Sequence, residues 1–279
     1  MVYAKYGAAF RELRVQHGLS LSDFNAIGIA KSTLSNFENG KNMIAFDKLG
    51  MALQEMRCSL LDYSLVINNG EQDDFVELFH NINEGFWSKD TARLQAIYDE
   101  CISEDVKGES WMIAISAKAC YTELCPQEIK RIVNFLNSVS AWGIYEMSVF
   151  VNTLHFLDIR FVLEILTQFW DNRKYYMSIP EYRLLIMRCL VRTCRSLIEL
   201  EMRSEAKLII ERGRSAFVTE DAANRIMFKF IEGCVQYKFE GRKNGLKQAE
   251  RMLEIFKEIG ADGLYRVFKE DYYDKLLVE

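Results

Sequence analysis

The stretch Lys31-Ser32-Thr33-Leu34-Ser35-Asn36-Phe37-Glu38-Asn39-Gly40 decides how this chain of 279 residues is read. Leu34 and Phe37 stand three apart, the spacing of one helix face, while Lys31, Ser32, Thr33, Ser35 and Asn36 leave the other side polar and almost uncharged. Asn39-Gly40 supplies a stop. Upstream, Gly28 permits a tight turn. Before it, Ser20-Leu21-Ser22-Asp23 puts a hydroxyl at an N-cap with a carboxylate three residues on, which predicts a second short helix to about Ala26. An earlier amphipathic helix runs from Tyr3 to Gln16, with Tyr6, Phe10 and Leu13 at helical spacing and Gly18 as its end. The expected order is helix, turn, helix.

A helix face of this composition suits base edges. Asn bonds adenine in two places, Ser and Thr bond several edges, and Lys31 and Lys41 at the ends suit phosphates. A solvated surface helix has the same composition, so the charge distribution matters. The net charge of −5 disfavours nucleic acid overall, because phosphate neutralisation supplies most of that affinity. Residues 1–65, however, carry 7 basic against 6 acidic groups, and residues 66–279 carry 28 against 34. DNA is tolerated only at the first quarter of the chain.

With 49% hydrophobic residues and only 2 prolines, the chain has material for packed cores built from long helices. No apolar run approaches the roughly 18 residues of a membrane span, and Met1 to Gly7 does not read as a signal peptide, so no membrane partner and a cytoplasmic location are expected. Seven scattered cysteines are expected to be reduced and mostly buried. Only His17, His80 and His155 are present, none near another, so neither a metal site nor a cofactor is expected. His155, in apolar text, reads as a satisfied core residue rather than a switch.

Residues 66–72 read as a linker, and 73–279 as a helical body with no alternating strand text and no Gly-rich phosphate loop. Similar second-helix texts begin at Thr91, Ile129, Phe161, Ala206 and Ala249, the steps expected of a tetratricopeptide-like array of helix pairs. First helices over about 108–124, 143–156, 181–199 and 220–239 would line a concave groove suited to an extended peptide. Asn152 in apolar text either bonds a neighbouring helix or grips a ligand backbone. Arg188, Arg192 and Arg195 share one face, either the solvated side of a helix or a stripe that attracts an anion. Tyr182, Arg183, Asn224, Arg225, Phe228 and Arg266 are further groove candidates.

Catalysis is not expected: there is no Walker loop, GxSxG, HExxH or paired-cysteine clamp. The residues Leu19-Ser20-Leu21, Leu34-Ser35-x-Phe37-Glu38-x-Gly40 and Leu49-x-x-Ala52-Leu53, at their fixed spacing, resemble the Cro/repressor-type helix-turn-helix. More narrowly, Lys31 to Gly40, the length and the all-helical remainder resemble the Rgg (MutR-type) regulators, of the peptide-pheromone-responsive group. Asn36 and Asn39 stand where that family commonly has arginine, and Ala30 where it often has a serine cap. The resemblance implies an all-α chain, with a five-helix DNA-binding head over 1–65 and a peptide-binding, dimerising repeat body. It further implies a homodimer on two-fold related half-sites of double-stranded DNA, answering a short signalling peptide in quorum sensing. The competing readings are a protein-binding repeat scaffold and a regulator not gated by peptide.

Overall fold

A computed structural model gives the architecture of residues 4–69, 74–103, 110–215, 222–241 and 243–277. Residues 1–3, residues 70–72 of the expected linker, and residues 108–109 and 220–221 of two expected first helices lie outside the described residues. All regular structure among the described residues is helical. The chain divides into two compact units, Met1–Glu77 and Leu78–Glu279.

The first unit holds α1 (Ala4–Gln16), a 3-10 helix (Asp23–Ile27), α2 (Lys31–Glu38), α3 (Phe46–Glu55) and α4 (Leu60–Ile67). The second helix is thus 3-10 rather than α. Asp23 Oδ2 accepts from Ser20 N at 2.6 Å as the cap pattern predicts, but Gly28, at φ 79°, stops the chain after five residues. Three fully buried rings tie the elements together: Phe10 of α1 lies 5.9 Å from Phe24 and 5.5 Å from Phe37. Tyr63 of α4 donates its hydroxyl to the carbonyl of Tyr6 at 2.9 Å. Burial in this core pushes its phenol well above the usual range. Residues 66 and 67, expected in the linker, continue α4, and the boundary between units falls further on, inside α5 (Asp74–Ser88).

The body pairs α5 with α6 (Thr91–Ser103), α7 (Trp111–Lys118) with α8 (Pro126–Ser138), and α9 (Ile144–Thr153) with α10 (Ile159–Asp171). A short α11 (Arg173–Ser178) interrupts the series before α12 (Pro180–Glu199) with α13 (Arg203–Arg214) and α14 (Ala222–Glu240) with α15 (Lys243–Glu258). The two prolines, Pro126 and Pro180, each open a helix, where a missing N–H costs nothing. Helices α7, α9, α12 and α14 stack one on the next; α7 and α9 are buried almost all round, and α12 and α14 are so along their middle stretches. Helix α10, by contrast, buries a single stripe, Val162, Ile165, Leu166 and Phe169. The layering matches the division into first and second helices expected from the repeat texts.

At the C-terminal end, α16 (Asp262–Val267) runs into a π-helical turn over Phe268–Tyr273, which packs against the end of α5 and leads into a short α17 (Asp274–Leu276). Trp87 stacks on Phe268 at 5.9 Å, and Lys89 pairs with Glu270 at 2.6 Å and Asp271 at 3.1 Å. The end of α5 and the C-terminal π-helical turn therefore meet.

Candidate functional site

In the head, burial of Leu34 and Phe37 orients α2. Its outer side then carries exposed Lys31 and Ser32 and half-buried Thr33, Ser35 and Asn36, with Lys41 exposed just beyond its end. Glu38 is the one acidic residue on α2, and its side chain is 5% exposed. Arg14 of α1 donates Nε and Nη2 to its two carboxylate oxygens at 2.6 and 2.8 Å, and Nη1 to the carbonyl of Leu19 at 2.7 Å. This fork raises the Arg14 pKa, chiefly through the hydrogen bonds to Glu38. The presented face is consequently neutral or basic, with no free carboxylate to repel phosphate. Ala30 caps the helix without a side-chain bond, and Asn39 turns back to donate Nδ2 to the carbonyl of Ser35 at 2.7 Å.

In the body, the arginine stripe of α12 faces cavities rather than bulk solvent. Arg192 and Arg195 line a cavity of about 360 Å³ with Phe86, His155, Glu199 and Tyr272. Both cations are engaged there. Arg192 is buried, donates Nη1 to the carbonyl of Val151 at 2.6 Å and lies 4.3 Å from the Phe86 ring; Arg195 pairs with Glu199 at 3.0 Å. Arg188 lines a second cavity of about 360 Å³ with Trp87, Leu184, Asn224, Met227 and Leu264. Desolvation, then the field of Arg192, lowers the Arg188 pKa to about 10.

The other candidates are dispersed. Asn152 is buried within α9, 6% exposed. Tyr182 packs in an aromatic cluster 5.4 Å from Tyr176 and 5.9 Å from Tyr175, and Arg183 donates Nη1 to the carbonyl of Met177 at 3.0 Å, so both serve the junction with α11. Phe228 is fully buried over Gly213, and Arg225 stands exposed beside a separate cavity with Arg214 and Lys229. Arg266 is exposed. Among the described residues the cavities bring together Arg188 with Asn224, Arg192 with Arg195, and Arg225 with Phe228.

His155 corrects the core reading, for its ring is accessible from the first cavity. Desolvation by the surrounding protein, then Arg192 and Arg195, lowers its pKa to about 3, so the imidazole stays neutral. Cys101, Cys189, Cys194 and Cys234 are buried, Cys58 and Cys120 half-buried and Cys125 exposed. Among the described residues no group of His, Cys, Asp and Glu is arranged to hold a metal, and no helix is long and apolar enough to cross a membrane.

Sequence reading missed Arg14, Trp87, Met227 and Leu264. Each acts through a partner far along the chain, and no local pattern marks such a pairing.

A helix-turn-helix head on a stacked helical-repeat body defines a class, the helix-turn-helix regulators with a repeat-built second domain. Residues 10–62 match the helix-turn-helix family, and residues 87–270 match the family described as HTH-type transcriptional regulator Rgg, C-terminal domain. The chain belongs to the Rgg family of transcription regulators, whose members are not enzymes. Among solved structures, a protein of Listeria monocytogenes EGD-e assigned to the transcriptional regulators is similar at 20% identity, covering 99% of this chain and 100% of its own, with a TM-score of 0.78. The SHP pheromone receptor Rgg2 of Streptococcus dysgalactiae is 21% identical over 95% of this chain and 98% of its own, with a TM-score of 0.73. PrgX in its cCF10 complex is 15% identical over 95% and 98%, with a TM-score of 0.66.

Proposed function

We infer that the protein is a cytoplasmic, homodimeric DNA-binding regulator whose transcriptional output is set by a short signalling peptide held in the concavity of the repeat body. The observation that carries the DNA reading is the fork of Arg14 on Glu38, which removes the one acid of α2 from the face that would meet phosphate. Ser32, Thr33, Ser35 and Asn36 then read base edges, and Lys31 and Lys41 hold backbone phosphates. A two-fold dimer would set its heads about one DNA turn apart on related half-sites.

The peptide reading is supported by the cavities along α12 and by the likeness to a pheromone receptor and to PrgX in its cCF10 complex. The peptide acts by favouring one arrangement of the dimer, since equal affinity for both arrangements shifts nothing. The test is a mobility-shift titration on DNA flanking the protein's own gene, with competitor DNA, with and without a short-peptide extract of spent medium. A specific shift altered by the extract supports both parts. A specific shift indifferent to it leaves a regulator without a peptide gate, and no specific shift favours a protein-binding scaffold.

A further inference from the structure

The two cavities along α12 differ in one electrostatic respect. In the first, Arg192 is bonded to the carbonyl of Val151, Arg195 to Glu199, and Asp271 to Lys89 and Lys275. In the second, Arg188 is the one charged group among the described residues of the wall, and no carboxylate of theirs faces it. Its buried Nε has no hydrogen-bond partner among the described residues. The same wall carries Asn224, 8% exposed, whose Oδ1 likewise accepts from nothing there. Two residues that line one space therefore each carry a buried polar atom with no partner, a guanidinium donor and an amide acceptor. Unmatched buried polar groups are rare because each forfeits its bonds to water without replacement. The remainder of the wall is apolar: Trp87 from α5, Leu184 from α12, Met227 from α14 and Leu264 from α16.

These three features specify a ligand. The guanidinium takes an anion of carboxylate shape, the amide oxygen takes a neighbouring N–H, and the walls take a hydrocarbon side chain. A volume of about 360 Å³ suits one or two residues and not a long chain. We propose that the Arg188–Asn224 cavity is an anchoring subsite for a carboxylate carried next to an amide N–H, as at the C-terminal residue of an apolar peptide or at an aspartyl residue within one. The assignment rests on the peptide reading above and deepens it: Arg188, alone of the three stripe arginines, is the anion receptor, because the other two already have acceptors. The cavity holds a desolvated cation beside Arg192; a bound carboxylate relieves that repulsion, which gives the subsite its preference for an ionised ligand.

The experiment uses the purified full chain without DNA and three small probes: N-acetyl-leucyl-leucine as the free acid, the same compound as its C-terminal amide, and N-acetyl-leucyl-aspartyl amide. Trp87 lines the cavity, so binding is read as a change in tryptophan emission that Trp87→Phe removes, with isothermal calorimetry in parallel. The free acid is expected to bind at least about tenfold more tightly than its amide. Arg188→Gln abolishes that difference, while Asn224→Leu weakens acid and amide together because both carry the N–H. If the aspartyl amide binds and the free acid does not, the carboxylate is a side chain and the subsite stands with that source. Equal binding of the acid, its amide and the aspartyl amide to the native chain, or binding of none of the three, overturns it, and this comparison needs no variant that might misfold. A promoter shift altered by the spent-medium extract, together with indifference to the carboxylate here, would leave the peptide reading standing and remove only the subsite. Loss of extract sensitivity with the acid still preferred would do the reverse.

Discussion

Arg14 and Glu38 form a two-pronged ion pair at 2.6 and 2.8 Å between the first helix and the end of the third, with side chains 12% and 5% exposed. It ties the C-terminal end of α2 to α1. Removing one partner of a largely buried pair strands the other, at a cost of about 3 kcal/mol. Glu38→Ala should lower hydrogen-exchange protection of head amides by about two orders of magnitude, with protection of the body unchanged. Arg14→Lys should fall between, because ammonium keeps the charge and loses the fork. Unaltered protection in Glu38→Ala would show that the pair contributes nothing to holding α2.

Replacing Ser35 and Asn36 together with Ala leaves the head core intact, since both side chains sit on the outer half of α2. Specific affinity for the operator should fall by about 1–3 kcal/mol for each hydrogen-bonded base edge that goes unread, with binding to competitor DNA unchanged. Lys41→Ala should instead weaken all DNA alike and reduce the slope of log affinity against log salt by about one. A double variant with full operator affinity removes α2 from the recognition role.

Arg192 and Arg195 lie three residues apart but have different work. Arg192 is buried and bonds the backbone of α9 at Val151, so Arg192→Met should destabilise the body by about 2–3 kcal/mol. Arg195 pairs with an exposed Glu199, and Arg195→Ala should stay within about 0.5 kcal/mol of the parent. Thermal unfolding separates the two, with a Tm loss of about 5–10 °C expected for the first. Equal losses would mean that the Val151 bond is not what holds α12.

Helices α14 and α15 approach where Gly233 faces Gly245. A Cβ on Gly233 would sit 2.6 Å from the Gly245 carbonyl oxygen and 3.0 Å from the Ala249 nitrogen, both backbone atoms that have no rotamer to escape into. Gly233→Ala should therefore cost about 3 kcal/mol or more in chemical denaturation. Gly50 of α3 has nothing within 4 Å of such a Cβ, and Gly50→Ala should stabilise by about 0.5–1 kcal/mol. If both changes behave alike, the close crossing of α14 and α15 is wrong.

Local chemistry was enough to read the head from its letters. Gly28 and the Asn39-Gly40 pair act within a few residues of the turns they make, and the spacing of Leu34 and Phe37 says which side of α2 is buried. The single departure, a 3-10 helix in place of an α-helix at Asp23–Ile27, comes from a segment too short for two α turns before Gly28. The repeat texts likewise placed the paired helices of the body, because each second helix buries a single apolar stripe that periodicity reveals.

First helices gave no such guide. Along α12 nearly every residue from Leu185 to Cys194 is buried, so a pattern of apolar and polar letters cannot say whether Arg188 meets solvent, core or cavity. Asn152, Phe228 and Tyr182 looked alike as groove candidates and lie in a helix interior, a core and an aromatic cluster. Sequence alone determined the paired helices of the body, the helix order of the head and the polar face of α2, since propensity, capping and periodicity act over a few residues. Tertiary structure decided that Glu38 is neutralised by Arg14, that Arg192 is satisfied by Val151, and that Arg188 shares its cavity with Asn224. Those relations join atoms 24 to 41 residues apart along the chain, where only the packing of one helix on another sets which charges find a partner and which are left to seek one.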